Sequence, residues 1–165
     1  MLDAGALIEK HRGKGVLVDS NLLVLFVVGT VNRSRIQTSK RTSGFTGDDF
    51  ELLTRLIGLF GKLIATPHVL SQVSDLTDLK HEELRRSRQV FAALVQELEE
   101  VRDASVDLIA HPVFERLGLA DAAIATVCLR GVLVLTADLD LYLALQERGA
   151  DALNFNHVRQ LSWSL

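Results

Sequence analysis

Val16-Leu17-Val18-Asp19-Ser20-Asn21 is a short apolar, β-branched run followed at once by three polar residues, and the glycine pair Gly13 and Gly15 precedes it. Continuous apolar character without alternation is how a strand buried on both faces reads, as in a parallel sheet covered by helices. Asp19 then falls at the carboxyl end of that strand, where Ser20 or Asn21 can cap a following helix. The next apolar residues, Leu22 to Val28, predict a buried first helix.

Further along, the same punctuation recurs. Gly29 to Gly47 is rich in Ser, Thr, Gly and basic residues and predicts a surface loop long enough to carry a functional or mobile role. From Asp48, Phe50, Leu53, Leu56, Ile57 and Phe60 keep helical spacing behind acids that suit a helix start, and Gly61 stops them. Leu63-Ile64-Ala65 reads as a second buried strand. Thr66-Pro67 opens a helix whose inner stripe is Val69, Leu70, Val73 and Leu76. Glu82 to Val101 predicts a long amphipathic helix, and Val106-Asp107-Leu108 a short third strand. After His111-Pro112 and Leu117-Gly118-Leu119-Ala120-Asp121, the small residues from Ala122 to Leu129 make a helix ending at Gly131. Val132 to Leu135 is a strand, Thr136 to Gln146 turns into a helix ended by Gly149, and Ala152 to Phe155 is a last strand. Alternating strands and helices predict one α/β domain over 1–165, a three-layer α/β/α sandwich on a mainly parallel sheet, with 29–47 as a surface insertion.

Composition limits what such a domain does. The 165 residues are 48% hydrophobic and 24% charged, enough for a real core, and the net charge of −3 excludes a chain that coats nucleic acid by bulk positive charge. Only 5% aromatic residues leave little material for base-stacking platforms. The single cysteine, Cys128, excludes an internal disulfide framework and a cysteine-rich zinc site; it reads as small core filler and fits a reducing, cytoplasmic compartment. The start, MLDAGALIEKHRGKG, lacks the apolar core of a secretory signal, and Val16 to Gly29, interrupted by Asp19-Ser20-Asn21, falls short of the roughly 20 apolar residues of a membrane span. The five histidines show no metal-ligand spacing. Lys80, Arg85, Arg86 and Arg88 alternate with Glu82 and Glu83 as a salt-bridged helix face, and Trp163 reads as a packing or interface anchor.

The acids carry the chemistry. In parallel α/β sheets the ligand crevice lies beyond the carboxyl ends of the strands. Two of the clearest strands end in carboxylates, at Asp19 and at Asp138 with Asp140 two residues on, while Asp121 stands alone among apolar neighbours at the start of the small-residue helix. Gathered carboxylates repel, so a cluster of them is tolerable mainly around a bound cation or with one carboxyl protonated. Oxygen-only ligands favour Mg²⁺ or Mn²⁺ over zinc. Each acid also has a plainer reading, since Asp19, Asp138 and Asp121 could each simply cap a helix and Asp140 could be an exposed first-turn acid.

Four segments in order, VLVDSNLLVLFV, TPHVLSQVSDL, LGLADAAIA and VLVLTADLDLYLALQERG, resemble the landmark segments of PIN-domain proteins, metal-dependent nucleases that mostly cut RNA. The resemblance implies the same parallel-sheet fold. It makes Asp19, Asp121 and Asp138 the catalytic, metal-holding acids, with Asp140 a further, less constant one. It also implies an Mg²⁺ or Mn²⁺ cofactor, an RNA substrate, and as partners an antitoxin or other protein or a second copy of the chain. One position departs: where the family commonly has Glu after TPxVL, this chain has Gln72, which keeps one oxygen ligand but loses the charge and the proton-accepting capacity. Asp75, at i+3, is placed to substitute, and Asn21 and Thr136 are candidates to orient carboxylates or water.

The loop cations Arg33, Arg35, Lys40 and Arg41 are candidates to grip RNA phosphates, against the plainer reading of a solubilising loop. The alternative to a nuclease is a catalytically weakened PIN-like module that binds RNA or protein, motivated by Gln72. A receiver-type phosphotransfer domain would also use strand-end acids but wants a lysine on a later strand, and none occurs after Lys80.

Overall fold

The computed structural model describes residues 3–163, the side chain of Trp163 lying outside the described residues. Five strands, β1 (Val16–Val18), β2 (Leu63–Ala65), β3 (Glu99–Glu100), β4 (Leu133–Thr136) and β5 (Ala152–Asn154), form one sheet in the order β3-β2-β1-β4-β5, every pair parallel. Helices cover it in an α/β/α sandwich. The chain steps outward from β1 to β3 in one direction and from β4 to β5 in the other, so crossovers of one hand lay the connecting helices on opposite faces. The reversal falls between β1 and β4, whose register pairs Val16 with Leu133 and Val18 with Leu135. That is the switch point where open α/β sheets leave a crevice beyond the strand ends.

The two central strands are apolar because both faces are dry: Val16, Leu17, Val18, Leu133, Val134 and Leu135 all have no exposed surface. Helix α2 (Ser20–Val31) is apolar nearly all round for the same reason, packing against α3 (Gly47–Gly58), α4 (Pro67–Leu76) and α5 (His81–Glu97). Gly29 marks its tightest contact, where any Cβ would overlap the Phe50 ring of α3. α4 has the expected Thr66 cap, the hydroxyl accepting from Val69 N–H at 3.2 Å, with Pro67 at its first position. α8 (Leu119–Leu129) and α9 (Leu139–Gln146) flank β4, and α9 reaches β5.

Several expectations are corrected. Val106-Asp107-Leu108 is not a strand: it belongs to a single helical turn, α6 (Ser105–Leu108), that buries Leu108 and leaves Val106 71% exposed. The third strand is instead Glu99–Glu100, so α5 ends at Glu97 rather than running to Val101. A two-residue edge strand needs no apolar side chains, because its outer face meets water; Glu99 there pairs with Lys62. The segment 29–47 is not one loose surface loop. α2 runs on to Val31, a 3₁₀ turn follows at Arg33–Arg35, and Ile36, Ser39 and Thr42 are buried. Thr42 Oγ1 donates to the Ile36 carbonyl at 2.6 Å, so the Ser/Thr content satisfies backbone groups rather than only solvating them. Helices α1 (Ala4–His11), the turn α7 (Phe114–Leu117) and α10 (Phe155–Trp163) were not expected as elements. Cys128 is buried as expected, its Sγ–H donating to the Asp151 carbonyl at 3.3 Å, and burial pushes the thiol up to about 12. No helix among the described residues is long and apolar enough to cross a membrane.

Candidate functional site

At the switch point lies an open cleft of about 380 Å³ lined by Asp19, Ser20, Asn21, Arg41, Gln72, Asp75, Leu76, Asp121 and Asp138. β1 and β4 deliver Asp19 and Asp138 side by side because their carboxyl ends are in register. α8 brings Asp121, and α4 brings Gln72 and Asp75 from one helical face, three residues apart. Asp140 is exposed in the first turn of α9 and does not line the cleft.

The carboxylates differ in how they are held. Asp19, 6% exposed, caps α2 by accepting the Ser20 N–H at Oδ1 (2.6 Å), and its Oδ2 accepts from Thr136 Oγ1 at 2.7 Å. Thr136 Oγ1 also accepts the Asp138 N–H at 2.9 Å, so one hydroxyl ties both strand ends together. Asp138 in turn caps α9, Oδ1 accepting from Leu141 N–H at 3.1 Å. The capping readings of these two acids are therefore true alongside their place in the cleft. Burial raises the Asp19 carboxyl above the ordinary aspartate value, the Thr136 and Ser20 hydrogen bonds oppose that rise, and the Asp138 charge adds to it.

Asp121 is different. The residue before α8 is Gly118, with φ +93°, and the helix has no side-chain cap. Among the described residues the Asp121 carboxylate accepts no hydrogen bond, so the capping reading fails for it. Burial pushes its carboxyl up to about 7, and the charges of Asp19 and Asp138 push the same way. An acid without partners, half-protonated near neutrality and facing two other acids, has no structural role that the fold explains.

Of the four loop cations only Arg41 lines the cleft. Arg33 pairs with Glu51 at 2.6 Å and lies over the Phe50 ring, while Arg35 pairs with Glu83 at 2.8 Å. Both are thereby held to neighbouring helices. Lys40 is exposed without lining the cleft. Asn21 lines the cleft but bonds to neither carboxylate, so the orienting role falls to Thr136. Ser20 and Leu76 join the lining, as their positions beside Asp19 and Asp75 would lead one to expect.

The donors offered are all oxygens: three strand-end or helix-start carboxylates, Asp75 and the Gln72 amide. That set suits a hard divalent cation. Among the described residues, no group of three or more His, Cys, Asp or Glu side chains is gathered closely enough to hold a metal ion. Mg²⁺ keeps several water ligands and takes others from substrate phosphate, so it asks fewer ligands of the protein than a fully caged ion does. No protein-family profile matches the chain, and no curated protein is similar to it in sequence.

Proposed function

We propose that the protein is a divalent-metal-dependent nuclease, of the PIN type that its segments resemble, hydrolysing RNA phosphodiester bonds with Mg²⁺ or Mn²⁺. The observation that carries this reading is Asp121. A partnerless carboxyl held near a pKa of 7 between Asp19 and Asp138 is costly unless a cation relieves it. Asp19, Asp121 and Asp138 would hold the ion, with Asp75 and the Gln72 oxygen beside them. When bound, such a cation lowers the pKa of water to make the nucleophile and offsets charge growing on the phosphate.

The chain's own residues do the rest. Thr136 fixes the Asp19 carboxylate by its hydrogen bond and spaces it from Asp138. Asp121 gives up its proton before it can serve as a ligand. Among the described residues Arg41 is the cation in the cleft's lining, placed to meet a phosphate that the acids would otherwise repel. With so few aromatic residues, recognition leans on backbone and shape. A cytoplasmic setting, an antitoxin or other protein partner, and a second copy of the chain as partner belong to the same proposal.

The second reading, a weakened module that binds without cutting, draws on Gln72, which stands in the cleft itself. Asp75 beside it restores the missing charge and favours the active enzyme. The test is cleavage of RNA and single-stranded DNA with Mg²⁺ or Mn²⁺ by the wild type, Asp19→Asn and Asp121→Asn. Metal-dependent cleavage lost in both variants is expected. Cleavage that persists unchanged in both would sink the acid site, and an inert wild type revived by Gln72→Glu would establish the second reading.

A further inference from the structure

Helix α10 follows β5 directly and, without lining the cleft, bonds to two segments that each border a cleft residue. On one side Asn156 Nδ2–H donates to the Ala137 carbonyl at 3.1 Å, and Ala137 lies between Thr136 and Asp138. On the other, Arg159 grips Asp49 with two bonds, Nε to Oδ1 at 3.1 Å and Nη2 to Oδ2 at 2.7 Å. Its Nη2 also donates to the Gly44 carbonyl at 3.2 Å, and its guanidinium lies 5.1 Å over the Phe45 ring. Asn156 Oδ1 accepts from Arg159 Nη1 at 3.4 Å, which joins the two sides. Asp49 is 1% exposed and closes the capping box of α3, its Oδ2 accepting the Thr46 N–H at 2.8 Å.

A continuous polar chain therefore runs from Asp19 through Thr136, the 136–138 turn, Asn156 and Arg159 to Gly44, three residues from Arg41. We infer that Asn156 and Arg159 are positioning residues that set where Arg41 stands relative to the acids. A buried ion pair is weak support for stability, since apolar residues of like volume serve as well. What a bidentate guanidinium supplies is fixed geometry, which lysine cannot reproduce.

The inference rests on the nuclease reading, and the test separates the two. The full-length wild type, Arg159→Lys, Asn156→Ala, Arg41→Ala and the double variant Arg41→Ala/Arg159→Lys are compared in three measurements. These are amide hydrogen exchange of the metal-free protein, Mn²⁺ affinity by electron paramagnetic resonance, and kcat and KM on a single-stranded RNA oligonucleotide. In Arg159→Lys, exchange at 41–46 quickens while the central strands stay protected. KM rises roughly tenfold, the worth of one charge-assisted hydrogen bond, and Mn²⁺ affinity holds. The double variant is no worse than Arg41→Ala alone, the non-additivity expected of groups acting through one another. Asn156→Ala, which leaves the ion pair to Asp49 in place, gives the same pattern with added exchange at 137–138, and it decides the matter if Arg159→Lys does not fold. Unchanged exchange at 41–46, or losses that multiply in the double variant, overturn the positioning role while the wild type still cleaves. A wild type that neither binds Mn²⁺ nor cleaves RNA overturns the nuclease reading, and the positioning of its substrate contact with it.

Discussion

Asp121 concentrates the conflict between stability and chemistry in one side chain. Its folded-state pKa of about 7 lies above the ordinary 3.8, so the folded protein binds more protons than the unfolded chain between those values. The stability this contributes is fully present below pH 3.8 and is lost as pH rises through about 7. Asp121→Asn should therefore be more stable than the wild type in EDTA at pH 8, by about 1–2 kcal/mol once solvent screening of a partly open group is allowed for. The gain should shrink steadily toward pH 4, and urea titrations at several pH values measure it. The same proton competes with a cation, so wild-type Mn²⁺ affinity should climb with pH and level off above about 7. A variant less stable than wild type at pH 8 would show that Asp121 is held by a partner and not strained by its neighbours. Asp121 was legible in sequence because an acid among Leu119, Ala120, Ala122 and Ala123 is conspicuous. Asn156 and Arg159 were not, because their partners are respectively about twenty and over a hundred residues away in sequence.

At the scale of elements, legibility followed burial. β1 and β4 are dry on both faces, so their residues have no freedom to be anything but apolar, and the acids that end them stand out. β3 sits at the edge with two glutamates and leaves no hydrophobic signature. Val106-Asp107-Leu108 imitates strand alternation, but one buried leucine on a four-residue turn produces the same pattern. The packing of α2 on α3 supports a direct test. Gly29→Ala places a methyl against Phe50, whose ring also packs on Phe26, so the helices must part or the rings shift. We expect a loss of about 1–3 kcal/mol in thermal or urea unfolding, with most of it recovered in Gly29→Ala/Phe50→Leu. No loss would mean that the Phe50 ring can shift to admit the methyl without cost.

The whole molecule carries more acids than bases, and the structure further reduces the cations free to meet a polyanion. Arg33 and Arg35 are tied to Glu51 and Glu83, which leaves Arg41 in the cleft. Single-strand affinity should therefore fall only gently with salt, with a log–log slope of about −1 to −2, since each phosphate contact contributes roughly −0.7. Arg41→Ala should flatten that slope by about one contact, whereas Arg33→Ala and Arg35→Ala should leave it unchanged, as fluorescence anisotropy across a salt series can report. Steep dependence on Arg33 or Arg35 would place the nucleic acid against the 3₁₀ turn and not in the cleft. The parallel sheet was legible as an alternating α/β plan; the strand order with its reversal between β1 and β4 was not, nor was the edge strand, which is two glutamates, nor α10, which begins at Phe155 inside the run that reads as the last strand.

The double duty of Asp19 and Asp138 bears on how relatives of this chain should be judged. Both acids cap the helix that follows them, so under the nuclease proposal a lineage that had lost the activity would still be under pressure to keep Asp, Asn, Ser or Thr at each. Their persistence says little about activity. Asp121 caps no helix among the described residues, so under the same proposal it would be the first of the three to drift once the activity was lost, and its presence or loss is the informative character.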